Sequence, residues 1–356
     1  MKTGSMELPL HIGKCPPWLF AKMKVLAGSI SEIIIEEYGS REFLFRLSNP
    51  LFFQAFGCAL GFDWHSSGLT TTVCGALKEG INANIGIAVC GGKGKTSRKT
   101  PDEILKKSER LGISSKETEA LIKATRLSAK VDNNCIQDGY QLYHHLFLFD
   151  ELGNWAVIQQ GMNGLRGYAR RYHWFNTKNF VEAPQNEIIG FKEDEVLNLV
   201  SRNSENTRKA SVDLVRDNPI RLQKYLNGQS TLFGNFRMPQ RHEILECDLT
   251  KRDWEMLHAA YEYQPQNYEE LVALRGIGAK SLRALALLSK LIYGTEVDWK
   301  DPIKYSFAHG GKDGIPYPVE REIYDESIEF LRDAVTEARI EKREKLTALK
   351  RLEAVF

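Results

Sequence analysis

Two glycines flank one aliphatic residue in the turn Arg275–Gly278, and this turn joins two short helical segments within the stretch 268–294. A turn this tight needs backbone angles that only glycine adopts at low cost. The sequence therefore requires two helices to meet at a very short connection here. The backbone amides of the turn and of the following helix point outward, where they can hold a phosphate oxygen.

The same stretch resembles a DNA-binding helix-hairpin-helix. The residues that match this motif are Leu274, Gly276, Ile277, Gly278, Lys280, Leu282 and Leu285. The resemblance implies non-specific contact with the DNA backbone, and Arg275, Lys280 and Arg283 add positive charge at the turn. The alternative is a plain turn between two helices with a glycine cap.

Length and composition set limits on the rest of the chain. Its 356 residues suggest two or three domains, and 42% hydrophobic and 26% charged residues are typical of a soluble globular protein. A net charge of +2 gives no global basic field, so any phosphate site is local. The six cysteines form no CxxC pair, which disfavours a zinc site or a disulfide framework. Because no signal-peptide pattern and no membrane-spanning apolar run is found, we expect a cytoplasmic protein without a membrane partner.

The hydrophobic pattern predicts an α+β fold in two parts. Helical segments dominate the beginning of the chain, and aromatic and β-branched residues on both sides of the turn Asp150–Asn154 predict a β-hairpin or small sheet. From about residue 190 the pattern is helical. We therefore predict a mixed α+β catalytic domain over residues 1–185 and an all-helical DNA-binding domain over residues 186–356, with the helix-hairpin-helix at 268–294.

Several phrases spread over residues 8–314 are similar to those of one protein family. They are LPLHIGKCPPWLF, FDWHSSGLTTT, GGKGKTSRKTP, QDGYQLYHH, WAVIQQGMN, ARRYHW and YSFAHGGKDG. The chain resembles an uncharacterised prokaryotic family, common in archaea, that is catalogued as domain of unknown function number 763. The resemblance implies no established activity, so the chemistry must be inferred from the residues.

The predicted β-hairpin places polar side chains in pairs. Around the loop Asp150–Asn154, residues whose numbers sum to about 304 face each other. His145 then lies opposite Gln159 on one face of the sheet, and His144 lies opposite Gln160 on the other. Because buried imidazoles and amides are costly unless they are hydrogen-bonded, these pairs form either a structural network or a site. In a site, one histidine would act as general acid or base at a scissile phosphate.

Asp138 precedes the first strand of this hairpin. A carboxylate followed by a strand is similar to the layout of metal-dependent nucleases, but their Glu-x-Lys on the second strand is replaced by Gln159-Gln160-Gly161. Asp138, the two histidines and the two glutamines are therefore candidate catalytic residues of a nuclease. Such an enzyme would use Mg²⁺ or Mn²⁺, and the sequence leaves the metal requirement open.

Two basic segments offer contacts to phosphates. The segment GGKGKTSRK fits only the end of the P-loop pattern, because Val89 stands where the pattern has its first glycine. We therefore expect this segment to bind a phosphate or the DNA backbone instead of forming an NTP site. The segment 161–175 alternates arginines with aromatic residues that can stack on unpaired bases. The candidate contacts are Lys93, Lys95, Arg98, Lys99, Arg170 and Arg171. In both segments the alternative is a solvated loop.

Lys280 suggests a different chemistry. It is the second residue after Gly278, and Asp298 lies eighteen residues after it. This spacing resembles that of base-excision glycosylases built on the same hairpin, in which a lysine attacks the sugar as a Schiff-base amine and an aspartate assists. Two departures weaken the resemblance. Arg275 stands where the family has proline, and Val297–Pro302 departs from the family's Val-Asp-Thr-His type of sequence.

Two further loops contain residue types common in active sites. Asp63 and His65 lie beside two serines, although neighbours in sequence rarely form a catalytic triad and a helix cap is the simpler interpretation. The segment 305–314 carries His309 immediately before Gly310 and Gly311 and is equally consistent with an ordinary turn.

The sequence therefore predicts a DNA-binding, DNA-processing enzyme, a nuclease that acts in DNA repair. The first alternative is a DNA glycosylase and lyase that uses Lys280 and Asp298. The second is a non-catalytic DNA-binding scaffold. The oligomeric state and the DNA structure recognised are left open.

Overall fold

The structure is a computed structural model that describes residues 8–10, 13–62, 66–217, 250–303, 321–338 and 341–354. Asp63, His65 and the segment 305–314 lie outside the described residues. None of the helices in the described ranges is long and apolar enough to cross a membrane.

Four helices precede the first strand, two more follow it, and the remaining strands come after them, before the helices of the second half of the chain. The helices are α1 (Pro17–Tyr38), α2 (Ser40–Leu47), α3 (Pro50–Ala59), α4 (Ser67–Gly80), α5 (Thr100–Arg110), α6 (Ser115–Asn134), α7 (Glu205–Arg216), α8 (Lys251–Tyr263), α9 (Tyr268–Ala273), α10 (Ala279–Tyr293), α11 (Arg321–Glu337) and α12 (Lys342–Ala354). The strands are β1 (Ile87–Lys93), β2 (Ile136–Gln137), β3 (Gln141–Asp150), β4 (Trp155–Asn163), β5 (Tyr168–Phe175), β6 (Glu187–Ile189) and β7 (Leu197–Asn198). The predicted α+β fold is therefore confirmed.

Five strands form one antiparallel sheet in the order β1-β3-β4-β5-β6, and β2 pairs with β7 in a separate two-stranded sheet. The turn between β3 and β4 is held by Asp150, whose Oδ1 accepts from the amides of Leu152 and Asn154 at 3.0 and 2.8 Å. Asx turns of this kind fix the register of a hairpin. The predicted pairing of His145 with Gln159 and of His144 with Gln160 is confirmed.

Helices cover both faces of the five-stranded sheet. Leu146, Leu148 and Ile158 pack against α1–α4, α11 and α12, whereas Phe147 and Val157 pack against α6–α10. Each strand is thus buried on both sides, which is why β3 and β4 read as nearly continuous apolar runs around their polar residues.

The two halves of the chain share one of the hydrophobic cores. The core on the α6 side of the sheet includes Leu127 and Val131 as well as Leu282 and Leu285, so residues from both sides of position 185 share it. The short strands β6 and β7 also lie in the region 186–356 that was predicted as helical.

Candidate functional site

A cleft of about 980 Å³ lies between the segment 94–99, helix α6, the start of β3 and the end of α9. Among its described lining residues five carry positive charge and one, Glu119, carries a carboxylate. The cations are Arg98, Lys123, Arg126, Lys130 and Arg275. The rest of the lining combines apolar side chains, such as Ile122, Leu127 and Leu142, with hydroxyl and imidazole side chains, such as Thr125 and His145. A basic wall over an apolar floor suits a ligand that combines phosphates with flat rings.

The predicted basic loop supplies one edge of the cleft. Residues Gly94–Lys99 form a 3-10 helix after β1, instead of the phosphate-binding loop of an NTPase. Its neighbouring cations Lys93, Lys95 and Lys99 are exposed, as is Arg98. Arg98 is the one of these four that lines the cleft.

The glycine turn supplies the opposite edge. Helix α9 is capped by Asn267 and ends at Ala273, and α10 begins at Ala279, so two helices flank the turn as predicted. Gly276 has φ +91°, and a Cβ there would lie 2.1 Å from Sδ of Met256. Ile277 is buried, and Arg275 is exposed on the cleft wall. The first amides of α10 have no partner within their helix, as at the start of any α-helix.

Lys130 ties this turn to helix α6. Its Nζ donates to the carbonyl oxygens of Val272, Ala273 and Leu274 at 2.8, 3.0 and 2.5 Å. These are the carbonyls that a helix leaves without partners at its C-terminus. Burial lowers the pKa of Lys130 to about 8. The contact fixes the position of the turn against the cleft.

His145 lies in a polar chain at the cleft. Its Nε2 is 2.6 Å from Oγ1 of Thr125, and its Nδ1 is 2.8 Å from Oε1 of Gln159. Nε2 of Gln159 donates to Oδ2 of Asp132 at 2.5 Å. Since an amide oxygen only accepts, Nδ1 of His145 must carry the proton, and Nε2 then accepts from the Thr125 hydroxyl. Burial lowers the pKa of His145 to about 4, so the imidazole is neutral at physiological pH.

Asp132 anchors the far end of this chain. It is fully buried and also accepts from Nε1 of Trp174 at 2.8 Å and from Nε2 of Gln185 at 2.7 Å. Burial raises the pKa of Asp132 to about 8, and these donors partly offset the effect. Because every one of its partners is a donor, Asp132 holds Gln159 in one orientation.

His144 also lines the cleft, but unlike His145 it has no hydrogen-bond partner in the described residues. It is only 2% exposed, yet neither of its ring nitrogens has a hydrogen-bond partner within the described part of the chain. Burial, together with the nearby His145 and Lys93, lowers the pKa of His144 to about 3. A buried polar group without a partner is rare in folded proteins.

Gln160 does not bond to His144, although the two are paired in the sheet. It interacts instead with Thr70, Tyr143 and the backbone carbonyl of Ser67. Nη1 of Arg171 joins the same network through Thr70 at 3.2 Å. Gln160 therefore belongs to a buried structural network next to α4, whereas Gln159 belongs to the chain at the cleft.

Asp138 is separated from the histidines. Its Oδ2 accepts from Nη1 of Arg170 at 2.8 Å and from the hydroxyl of Tyr172 at 2.7 Å, and Asp138 does not line the cleft. Both members of the Asp138–Arg170 pair are fully buried. The grouping of Asp138 with the hairpin histidines in one cleft is thus corrected, because a buried cation takes up its carboxylate.

Three arginines predicted to contact DNA are buried. Arg170 and Arg171 are 0% exposed and Arg283 is 2% exposed. Burial alone would lower the pKa of Arg170, but Asp301 and Asp138 raise it well above its usual value. Arg283 donates to Oε1 of Gln137 at 3.3 Å. A guanidinium in these positions does not reach a DNA backbone, so we correct these three assignments to structural roles.

Lys280 and Asp298 do not line the cleft. Lys280 is exposed on the first turn of α10. The Asp298 carboxylate is bound by the hydroxyl of Ser201 at 2.5 Å and by the side-chain amide of Asn203 at 3.3 Å. Asp298 thus ties the segment after α10 to the start of α7.

No group of three or more His, Cys, Asp or Glu side chains in the described ranges is arranged to hold a metal ion. The five cysteines of these ranges are free thiols.

Comparison with known proteins gives a family. A family model described as a protein of unknown function, DUF763, matches residues 4–319. The chain belongs to the DUF763 family. This confirms the resemblance seen in the sequence phrases, and the family description carries no activity with it. No match was found among curated proteins or among solved structures.

Five residues of the DUF763 cleft and of the hydrogen-bond chain behind it do not belong to any motif recognised in the sequence. Lys123, Arg126 and Lys130 all come from α6, at a spacing that places them along one side of a helix. Thr125 and Asp132, seven residues apart, follow the buried side of the same helix. Polar residues at helical spacing on a buried face are the signal that could have identified this part of the site.

Proposed function

We propose that this protein is a DNA-binding, DNA-processing enzyme that holds a nucleic-acid strand in the cleft and cleaves it as a nuclease, in the service of DNA repair. The observation that carries the proposal is the composition of one cleft. Arg98 from the basic segment, His145 from the β-hairpin and Arg275 from the glycine turn come from distant parts of the sequence and line the same cleft.

Charge supports a polyanionic ligand. The described lining has five cations and a single carboxylate, although the chain as a whole carries a net charge of only +2. Such a local concentration of positive charge attracts phosphates at short range and depends on salt. Lys123 is partly neutralised by Glu269 at 2.6 Å, which leaves Arg98, Arg126 and Arg275 as the main exposed cations.

The volume of the cleft favours a single DNA strand over a duplex as its ligand. A volume of about 980 Å³ is at the upper end of the range for sites that enclose a small molecule. A cleft of this size takes a nucleotide or two of a single strand. We propose that the glycine turn, at the edge of the cleft, contacts the backbone of the adjoining DNA through its amides, as a helix-hairpin-helix does.

Fluorescence anisotropy with labelled single-stranded and duplex DNA tests the binding part of the proposal. We expect salt-dependent binding, and we expect the double substitution Arg98→Ala with Arg275→Ala to reduce the log–log salt slope by about 0.7 for each lost contact to a single strand. The matched control is Lys342→Ala with Arg343→Ala, which removes two exposed cations away from the cleft. Equal weakening by both double variants, or binding without salt dependence, would contradict the proposed site.

Incubation with single-stranded, duplex and flap DNA tests the nuclease part, with Mg²⁺, with Mn²⁺ and with a chelator. Strand cleavage that is lost in His145→Gln is the expected result. If none of the substrates is cleaved, the nuclease proposal is wrong and the alternative of a non-catalytic DNA-binding scaffold remains.

Lys280 keeps the glycosylase alternative testable, because it is exposed next to the glycine turn. Borohydride trapping on damaged DNA would give a covalent species that Lys280→Ala abolishes. Absence of a trapped species would exclude that alternative and leave the nuclease proposal unaffected.

A further inference from the structure

The hydrogen-bond chain at the cleft has a direction. Thr125 donates its hydroxyl proton to Nε2 of His145, and the neutral imidazole donates through Nδ1 to Gln159. A hydroxyl at 2.6 Å from an unprotonated imidazole nitrogen is within the range found for a nucleophile and its general base. The group that orients the base is here an amide, which is fixed in turn by Asp132.

The two ends of the chain have different surroundings. Asp132 is enclosed by donors in the core, whereas Thr125 and His145 line the basic cleft. Thr125 shares helix α6 with Arg126, whose exposed side chain also lines the cleft. A phosphate held by Arg126 would therefore lie next to the Thr125 hydroxyl.

The matching pair on the other face of the sheet shows that the register alone does not produce such a chain. His144 and Gln160 face each other as His145 and Gln159 do. Gln160 nevertheless bonds to other partners, and His144 has none in the described ranges. On the α6 side the histidine itself contacts a hydroxyl at the cleft, whereas on the other face the Tyr143 hydroxyl is bonded to Gln160 and not to His144.

We propose that Thr125 is the nucleophile of the cleft and attacks a phosphodiester of the bound strand, with His145 as its general base. The inference rests on the proposed function and specifies its chemistry. As the bond from Oγ1 of Thr125 to phosphorus forms, the bond from phosphorus to the leaving sugar oxygen breaks. The hydroxyl proton passes to Nε2 of His145 and then to the leaving oxygen.

The intermediate is a phosphothreonine diester that joins one strand end to the protein. Water hydrolyses it by the reverse route, giving its proton to His145 as the Thr125 oxygen leaves and is reprotonated. The products are one strand end with a phosphate and one with a hydroxyl. Gln159 and Asp132 are positioning residues, because they hold the imidazole in the tautomer that accepts the proton.

A substrate with a sulfur in place of the leaving oxygen tests this step directly. Single-stranded DNA with one bridging phosphorothiolate, placed on the 5′ or the 3′ side of phosphorus, would release a thiolate that does not reverse the reaction. With one of the two substrates, the full-length protein is expected to form a covalent adduct that survives denaturing electrophoresis. Mass spectrometry of the wild-type adduct should locate the phosphate on Thr125.

Variants separate this chemistry from a packing role. Thr125→Ser should keep the adduct and Thr125→Val should abolish it while DNA binding stays within about twofold. His145→Gln should slow adduct formation by about 10²-fold or more. The matched control is Thr118→Val, which changes another buried threonine of α6 and should form the adduct at the wild-type rate.

Each outcome decides the inference. An adduct on another residue, an adduct in Thr125→Val, or DNA binding with no adduct on either substrate would overturn it. In the last case the proposed binding function would stand. If the wild-type protein binds no DNA at all, the proposed function fails together with the inference.

Discussion

The Asp301 carboxylate accepts hydrogen bonds from both terminal nitrogens of the Arg170 guanidinium, at 3.1 and 2.6 Å, and both side chains are fully buried. Arg170 lies on β5 in the middle of the sheet, and Asp301 lies after helix α10. Oδ2 of Asp301 also accepts from the backbone amide of Glu193 at 2.7 Å. This ion pair therefore attaches the chain beyond the glycine turn to the sheet that carries the histidines.

Substitution of Arg170 by Met is expected to destabilise the protein by about 3–5 kcal/mol, because it leaves the Asp301 and Asp138 carboxylates buried without their cation. Chemical denaturation measures the change. Lys209→Met is the control, since its pair with Glu205 is largely exposed and should contribute little to stability. Similar losses for the two variants would contradict the importance of the buried pair.

The two glycines of the turn are expected to respond differently to alanine. Gly276→Ala combines a φ of +91° with a contact to Met256, so it should cost about 1–3 kcal/mol. Gly278 has φ −131° and nothing within 4 Å of an added Cβ, and Gly278→Ala should change stability by less than about 0.5 kcal/mol. Denaturation curves test both. If Gly278→Ala is as stable as the wild type but binds DNA more weakly, the turn makes a close contact with the DNA backbone.

Lys130→Met should loosen the glycine turn. Three carbonyl oxygens at the end of α9 lose a charged donor, and hydrogen bonds to charged groups contribute about 1.5–3 kcal/mol. We expect faster amide hydrogen exchange in the turn and weaker DNA binding. Lys123→Met, on the same helix, removes a cation whose partner is Glu269, and it should leave exchange in the turn unchanged.

His144 is expected to make the protein sensitive to acid. Its pKa is about 3 in the folded protein and 6.5 in an unfolded chain, so the unfolded state binds the proton first as pH falls. Stability is therefore fully present above pH 6.5 and is lost towards pH 3, by up to about 1.4 kcal/mol per pH unit. Relative to wild type, His144→Leu should gain stability in this window, as measured by urea denaturation at several pH values.

His258→Leu is the matched control for that experiment, because His258 is exposed on α8. An equal gain in both variants would show that the added leucine, and not the lost imidazole, is responsible.

The sequence predicted the local features better than the way they combine. The β-hairpin register followed from the Asp150–Asn154 turn and the alternation of side chains, and the structure confirms it. The helices around the glycine turn followed from glycine positions and apolar spacing. These features depend on neighbours in sequence, which is why a pattern can reveal them.

The burial of charged residues could not be predicted in the same way. Arg98 and Arg170 both stand in basic segments, yet one is exposed on a cleft and the other is buried with Asp301. The difference depends on a carboxylate more than a hundred positions away in the chain. Thr125 likewise becomes a candidate for chemistry only because strand β3 places His145 beside its hydroxyl.

Helix α6 carries Thr125, which touches His145, and Lys130, which holds the glycine turn. The two residues are five positions apart, and five residues of α-helix span about 7.5 Å along its axis. Under the proposed function, the contact that holds the DNA and the hydroxyl that attacks it would be fixed on one rigid element. The position of the cut would then be set by its distance from the glycine turn and not by the identity of the bases.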